Sequence, residues 1–240
     1  MVPMDLVGRV AVITGGAGAL GRGVVEHFLE LGDSVWVPWI VESEADALRS
    51  SLSDAADRVH LRQIDVCSEK QVGSFFASVE ESEGRLDVLC NIVGGFVFAA
   101  LADTELADWR RMQEMNSTSA FLCCRAAVPL MRASGGGRIV NVTAMPALTR
   151  GAADMSAYSA SKAAVLNFSQ SLATELAPDR ITVNAIAPSI IDTPANRDAM
   201  PDADKANWLL PEEIAEVVGF LAGDAAKIVT GSVLALSKGE

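Results

Sequence analysis

Residues 14–21, Thr-Gly-Gly-Ala-Gly-Ala-Leu-Gly, constrain this chain more than any other stretch. The apolar run Val10–Thr14 leads into them, and Leu20, Val24, Phe28 and Leu31 follow at helical spacing. Gly16, Gly18 and Gly21 satisfy GxGxxG directly between a predicted strand and a predicted helix, which is the context that gives the motif meaning. Glycines let a backbone turn tightly and approach a diphosphate, while the helix N-terminus offers unpaired amides and the positive end of a dipole. The bland reading, a glycine-rich turn without a ligand, does not need this placement.

The same alternation continues along the chain. Short β-branched runs at 34–37, 59–64, 86–90, 138–142, 181–186 and 232–236 predict strands. Between them, helical spacing predicts helices around Ala45, Leu48 and Leu52, over Glu69–Glu83, as one long helix over 108–133, and over Ser156–Leu176 and Pro211–Ala222. Strands that alternate with helices, and are apolar throughout, predict a doubly wound parallel sheet with helices on both faces. Such sheets bind ligands beyond the carboxyl ends of their strands. At 240 residues the length allows more than one domain, but no linker or internal repeat interrupts the pattern, so one α/β domain is expected.

Composition narrows the functional classes. Half the residues are hydrophobic, which excludes a disordered chain. A net charge of −12 argues against nucleic-acid binding, which needs cations to displace counterions, and against anchoring on an anionic membrane. Cys67, Cys90, Cys123 and Cys124 form no CxxC pair, and His27 and His60 stand far apart. A reduced thiol inventory and no metal site are therefore expected. Neither a signal core near the N-terminus nor a membrane-length apolar run is visible, so a soluble cytoplasmic protein is expected.

The only tyrosine, Tyr158, lies four residues before Lys162. One helical turn puts both on one face, and an ammonium beside a phenol lowers the phenol pKa, which suits acid–base work on a carbonyl or alcohol oxygen. YxxxK alone is a weak signal. Here it accompanies the glycine loop and a strand ending Asn141-Val-Thr-Ala144.

Together these motifs resemble the short-chain dehydrogenase/reductase family of the classical type, from about Leu6 to Ser237. The resemblance implies a Rossmann-like fold and hydride transfer between a nicotinamide cofactor and a carbonyl or secondary alcohol. Gly15, Gly16, Gly18, Ala19, Leu20 and Gly21 match the cofactor loop, and Asp65 and Val66 the adenine-contacting pair. Asn91 and Gly94 lie in the segment resembling the Asn-Asn-Ala-Gly motif. Pro188, Ile191 and Thr193 fall on the nicotinamide side. By resemblance, Tyr158 transfers the proton, Lys162 binds the nicotinamide ribose and lowers the tyrosine pKa, and Asn116 holds a water in the relay.

Several positions depart from the family pattern. Ala19 replaces the middle glycine, Ile92 the second asparagine, and Ser189 the glycine after Pro188. Trp39 stands in the slot for the acidic residue that holds the adenine ribose, with no Lys or Arg nearby in sequence for a 2′-phosphate. Burying an unpaired phosphate costs more than leaving a hydroxyl one partner short, so NAD(H) is favoured over NADP(H). Trp39 reads as a packing residue or as a platform for adenine.

Ala144 occupies the position of the family's catalytic serine, 14 residues before Tyr158. Three readings stay open. Thr143 supplies the hydroxyl if the strand end bulges. Catalysis proceeds on Tyr158 and Lys162 with another donor or a water. Or the chain binds a dinucleotide without catalysing the ordinary reaction, as a silent scaffold. A Rossmann-type methyltransferase would not need Tyr158, Lys162 or Asn116. Phe96, Phe98, Met145, Ile190, Ile191, Met200 and Trp208 suggest an apolar substrate pocket, with Arg150 and Arg197 as anion partners or solvated charges. Small and apolar residues on 108–133 and Ser156–Leu176 point, by resemblance, to a homo-oligomer, a tetramer or a dimer.

Overall fold

The computed structural model describes residues 8–52 and 56–239. Leu6, where the resemblance begins, lies outside them. Strands β1 (Val10–Thr14), β2 (Ser34–Trp39), β3 (Val59–Gln63), β4 (Val88–Asn91), β5 (Gly137–Val142), β6 (Ile181–Pro188) and β7 (Val233–Leu236) form one sheet in the order β3-β2-β1-β4-β5-β6-β7. Every pairing is parallel. The order reverses between β1 and β4, where Thr14 lies in register with Asn91. The chains leaving these two strands diverge and open a crevice.

Alternation along each strand divides the core in two. Ala11 and Ile13 of β1 face a cluster with Val24 and Phe28 of α1 (Ala19–Glu30) and Ile214 and Val218 of α9 (Pro211–Ala222). Val10 and Val12 face the other cluster, with Phe75 of α3 (Glu69–Glu83), Leu130 of α5 (Ser119–Ala133) and Leu176 of α7 (Ser156–Leu176). Helix α2 (Glu42–Ser51) covers β2 through buried Ala45 and Leu48. No helix among the described residues is long and apolar enough to cross a membrane.

Three short or irregular elements differ from the sequence expectation. The long helix expected over 108–133 consists of α4 (Leu106–Met112), a π-helical turn (Gln113–Thr118) and α5. Asn116 sits in the π turn and bonds to Gly95 outside the helix, and such turns often mark functional sites. Two short helices occupy segments expected as loops: α6 (Met145–Leu148) after β5 and α8 (Pro194–Ala199) after β6. Thr143 continues the β5 ladder, its amide donating to the Ile186 carbonyl at 2.8 Å, so the strand end carries no bulge.

Candidate active site

Steric contacts show why the loop after β1 is glycine-rich. Gly15 adopts φ +69°, and a Cβ there would lie 3.0 Å from the Val93 amide nitrogen. A Cβ on Gly21 would come to 2.0 Å from the Gly15 carbonyl oxygen, so α1 can pack against the loop only with glycine there. Gly16 is closed in by the side chains of Val25 and Val37, each 2.9 Å from a would-be Cβ. Gly18 caps α1, which begins with Ala19 and Leu20, and its nearest such neighbour is 3.4 Å away, leaving its outer side open. The Thr14 hydroxyl accepts the Ile92 amide at 3.1 Å and ties the loop to the segment after β4.

Beside the start of α1 lies a cleft of about 610 Å³, lined by Ala19, Arg22, Thr193, Arg197 and Leu210 among others. The starts of α1, α8 and α9 meet there, with Arg22 and Arg197 beside the carboxylates of Glu26, Asp192 and Glu212. Arg22 was not singled out from the sequence; its place one residue after Gly21 was the available signal. Arg197, expected as a free anion partner or a solvated charge, forms a two-pronged pair with Asp192 (2.5 and 2.7 Å). Arg150 is solvent-exposed. The Thr193 hydroxyl caps α8 by accepting the Asn196 amide, and the Ile191 carbonyl accepts Asn196 Nδ2. Pro188 ends β6, buried.

The end of β2 differs from an acidic ribose-binding corner. Trp39 is buried in the core, its indole N–H has no partner among the described residues, and the Arg49 guanidinium lies 5.4 Å above its ring. Arg49 is itself bound by Glu42 (3.0 Å) and Asp46 (2.6 Å). Its guanidinium therefore reaches two helical turns back toward the start of α2 and meets two carboxylates there. Asp65 accepts the Cys67 amide at 2.8 Å in a local turn, and Val66 is buried against α3 and α5.

On the catalytic side, α7 places Tyr158 and Lys162 one turn apart near its start. Lys162 is buried, and its Nζ donates to the Val142 carbonyl at 2.9 Å. The Tyr158 ring meets Phe96 edge-on, centroids 6.4 Å apart. Gly94 lies against the site so closely that a Cβ would fall 2.6 Å from Asn116 Oδ1 and 2.9 Å from Lys162 Nζ. Asn116 Oδ1 accepts the Gly95 amide, and Nδ2 donates to the Gly95 carbonyl (3.0 Å) and to Ser161 Oγ (2.9 Å).

Three expectations need correction. The Thr143 hydroxyl does not face the pocket; it is buried and donates to the Lys162 carbonyl at 2.7 Å. The Asn91 side chain does not reach the crevice either. Its Nδ2 donates to Asn141 Oδ1 at 2.8 Å beneath the sheet, and Asn141 in turn donates to Ser169. Finally, burial and not Lys162 sets the direction of the phenol pKa in the protein without cofactor. Burial pushes Tyr158 up to about 12 and pulls Lys162 down to about 8, because desolvation disfavours the charged form of each. Ala144, in extended backbone and buried, offers no hydroxyl beside them.

The family model for short chain dehydrogenase matches residues 9–204. This chain belongs to the short-chain dehydrogenase family. It is an oxidoreductase that moves hydride between a nicotinamide cofactor and an alcohol or carbonyl. The dehydrogenase is 37% identical to cis-4-hydroxycyclohexanecarboxylate dehydrogenase of Sinomonas cyclohexanicum, over 96% of each chain. It is 33% identical to the 3-alpha-(or 20-beta)-hydroxysteroid dehydrogenase of Mycobacterium bovis, covering 98% of this chain and 90% of that one. The crystal structure of gox2181 superposes with a TM-score of 0.90 at 31% identity, covering 97% of this chain and 96% of that one. The glycine cradle fits the family's dinucleotide: Gly21 lets α1 meet the loop backbone, and Gly18 leaves its outer side open.

Proposed function

We propose that this dehydrogenase interconverts an apolar ketone and its secondary alcohol, with Tyr158 as the proton-transfer group and NAD(H) as the preferred cofactor. One observation carries the reading: Tyr158 and Lys162 share a helix face whose lysine is pressed, with Asn116, against Gly94 beside the glycine loop. When bound, the nicotinamide supplies or accepts the hydride. Gly15, Gly16, Gly18 and the start of α1 would hold the diphosphate, with Arg22 beside it. Lys162 would approach the nicotinamide-side ribose. Tyr158, kept neutral by burial, donates its hydroxyl proton to the developing alkoxide in the reducing direction. Thr143 holds the Lys162 carbonyl and so fixes the turn from below.

The preference for NAD(H) rests on the β2 corner. Arg49 is the cation over Trp39, and two carboxylates already surround it, so the corner is net negative and ill suited to a 2′-phosphate. Exposed Phe96 supplies an apolar wall against Tyr158, consistent with the ring-bearing alcohols and steroids named for the two relatives. Exposed Trp109 and Phe121, on α4 and α5, support a homo-oligomer, a tetramer or dimer, of a single-domain cytoplasmic protein. The silent-scaffold reading gains no support from these relatives, named as dehydrogenases.

The decisive experiment titrates NADH and NADPH into the protein and then screens cyclic ketones and alcohols by nicotinamide absorbance. Turnover is expected with NADH, and Tyr158→Phe should lower it by about a thousandfold while leaving NADH binding intact. Full turnover by that variant would remove Tyr158 from its proposed role. Light scattering at monomer mass would remove the oligomer.

A further inference from the structure

We propose that Ser161 is a positioning residue that locks the turn of α7 carrying Tyr158 to the Gly95 backbone through Asn116. The proposal rests on the reading of Tyr158 as the proton-transfer group and assigns to the same site a part that the tyrosine–lysine pair does not supply.

The hydrogen bonds have a definite direction. An asparagine amide has two protons, and a serine hydroxyl has one. Asn116 gives one proton to the Gly95 carbonyl at 3.0 Å and the other to Ser161 Oγ at 2.9 Å, while its oxygen takes the Gly95 amide at 3.0 Å. Ser161 passes its own proton to the Tyr158 carbonyl at 2.7 Å. Gly95 is thereby gripped at both main-chain polar groups, and the grip ends on the peptide unit of the reacting tyrosine. Ser161 and Asn116 are both buried, and the bond between them is closed to solvent. In the same helix, Ser169 bonds to the carbonyl four residues back, the usual habit of helical serine. Ser161 reaches the carbonyl three residues back instead, and that carbonyl belongs to Tyr158.

Two further contacts show what the grip sets. Gly94 touches both Asn116 Oδ1 and Lys162 Nζ with no room for a methyl group. Phe96, on the other side of Gly95, rests edge-on against the Tyr158 ring. The segment 94–96 therefore meets the lysine, the clamp and the tyrosine in succession. Asn116 has both amide protons committed to this clamp, so its side chain holds the segment, and a relay water held by this residue would rest on its main chain. Reacting groups misplaced by a fraction of an ångström lose rate steeply, which gives a buried clamp behind the phenol kinetic consequences.

The test compares Ser161→Ala with Ser161→Cys, which keeps the volume but hydrogen-bonds weakly. Steady-state kinetics with NADH and an accepted ketone is paired with a tyrosinate absorbance titration of the protein without cofactor. Tyr158 is the only tyrosine, so that titration reads it alone. Both variants are expected to lower kcat by about tenfold, with KM within about twofold, and to titrate the phenol at lower pH as water reaches the loosened turn. The cysteine variant keeps the test valid if alanine unfolds the helix. Unchanged kcat in both variants would overturn the proposal. So would a joint fall of kcat and melting temperature with the phenol titration unmoved, which marks a merely structural serine. Full activity of Tyr158→Phe would remove the reading of Tyr158 instead, and the absorbance titration would still judge the clamp.

Discussion

Replacing Lys162 by Met should stabilise this protein at low pH, and by a pH-dependent amount. The side chain is buried and its pKa falls from 10.5 to about 8, through desolvation. A drop of about 2.5 units corresponds to about 3 kcal/mol against folding wherever both states are protonated. In the window between the two values the unfolded chain binds the extra proton, so wild-type stability rises with pH there. Met keeps the length of the side chain without the charge. Its advantage should shrink from about 3 kcal/mol near pH 6 to about 1 kcal/mol near pH 10. The orphaned Val142 carbonyl subtracts a roughly constant 1 kcal/mol or so, which cancels in the comparison between the two pH values. Urea unfolding of both proteins at fixed protein concentration measures the difference directly. A stability difference that is flat with pH, or that grows as pH rises, would refute the desolvation argument.

Other consequences are equally concrete. Gly21→Ala places a methyl group against the Gly15 carbonyl, with backbone on both sides. It should weaken NADH binding at least tenfold in a calorimetric titration and cost about 1–3 kcal/mol of stability in the same unfolding assay. Asn141→Leu leaves the Asn91 amide and the Ser169 hydroxyl without their bonds to residue 141. Chemical denaturation should show a loss of about 2–4 kcal/mol, with activity per folded molecule retained. Glu42→Gln combined with Asp46→Asn frees Arg49 above Trp39 and should tighten NADPH binding by roughly tenfold relative to NADH, an effect that salt weakens.

Local signals made much of the fold legible. Helices over Glu69–Glu83, Ser156–Leu176 and Pro211–Ala222 have the limits that their spacing predicts, with left-handed Gly84 closing the first and Pro211 opening the last. The glycine loop and the Tyr158–Lys162 spacing were legible for the same reason, since each lies within a few residues of chain. What stayed hidden depends on contacts distant in sequence. The π turn carries Asn116 to Gly95, 21 residues away in sequence. Whether Thr143 faced the pocket depended on where the Lys162 carbonyl lay. The sign of the Tyr158 shift turned on burial, which the Tyr158–Lys162 spacing does not report. Arg49 escaped notice because its guanidinium returns to Trp39 from ten residues downstream.

The π-helical turn Gln113–Thr118 also bears on how this chain can tolerate loss of sequence. A π turn amounts to one residue inserted into an otherwise continuous α-helix. Deleting a single codon there, such as that of Ser117, would let α4 run unbroken into α5. The flanking helices would keep their faces, because the turn had already absorbed the extra residue, and only side chains inside it, Asn116 among them, would be re-aimed. Helix α5 is held on the sheet by Leu122, Cys124 and Leu130, so Asn116, just before it, would lose its aim while α5 stays in place. Such a protein would keep its sheet and both core layers while withdrawing the amide from Gly95. The shortest deletion that leaves this fold standing is thus one that disarms it.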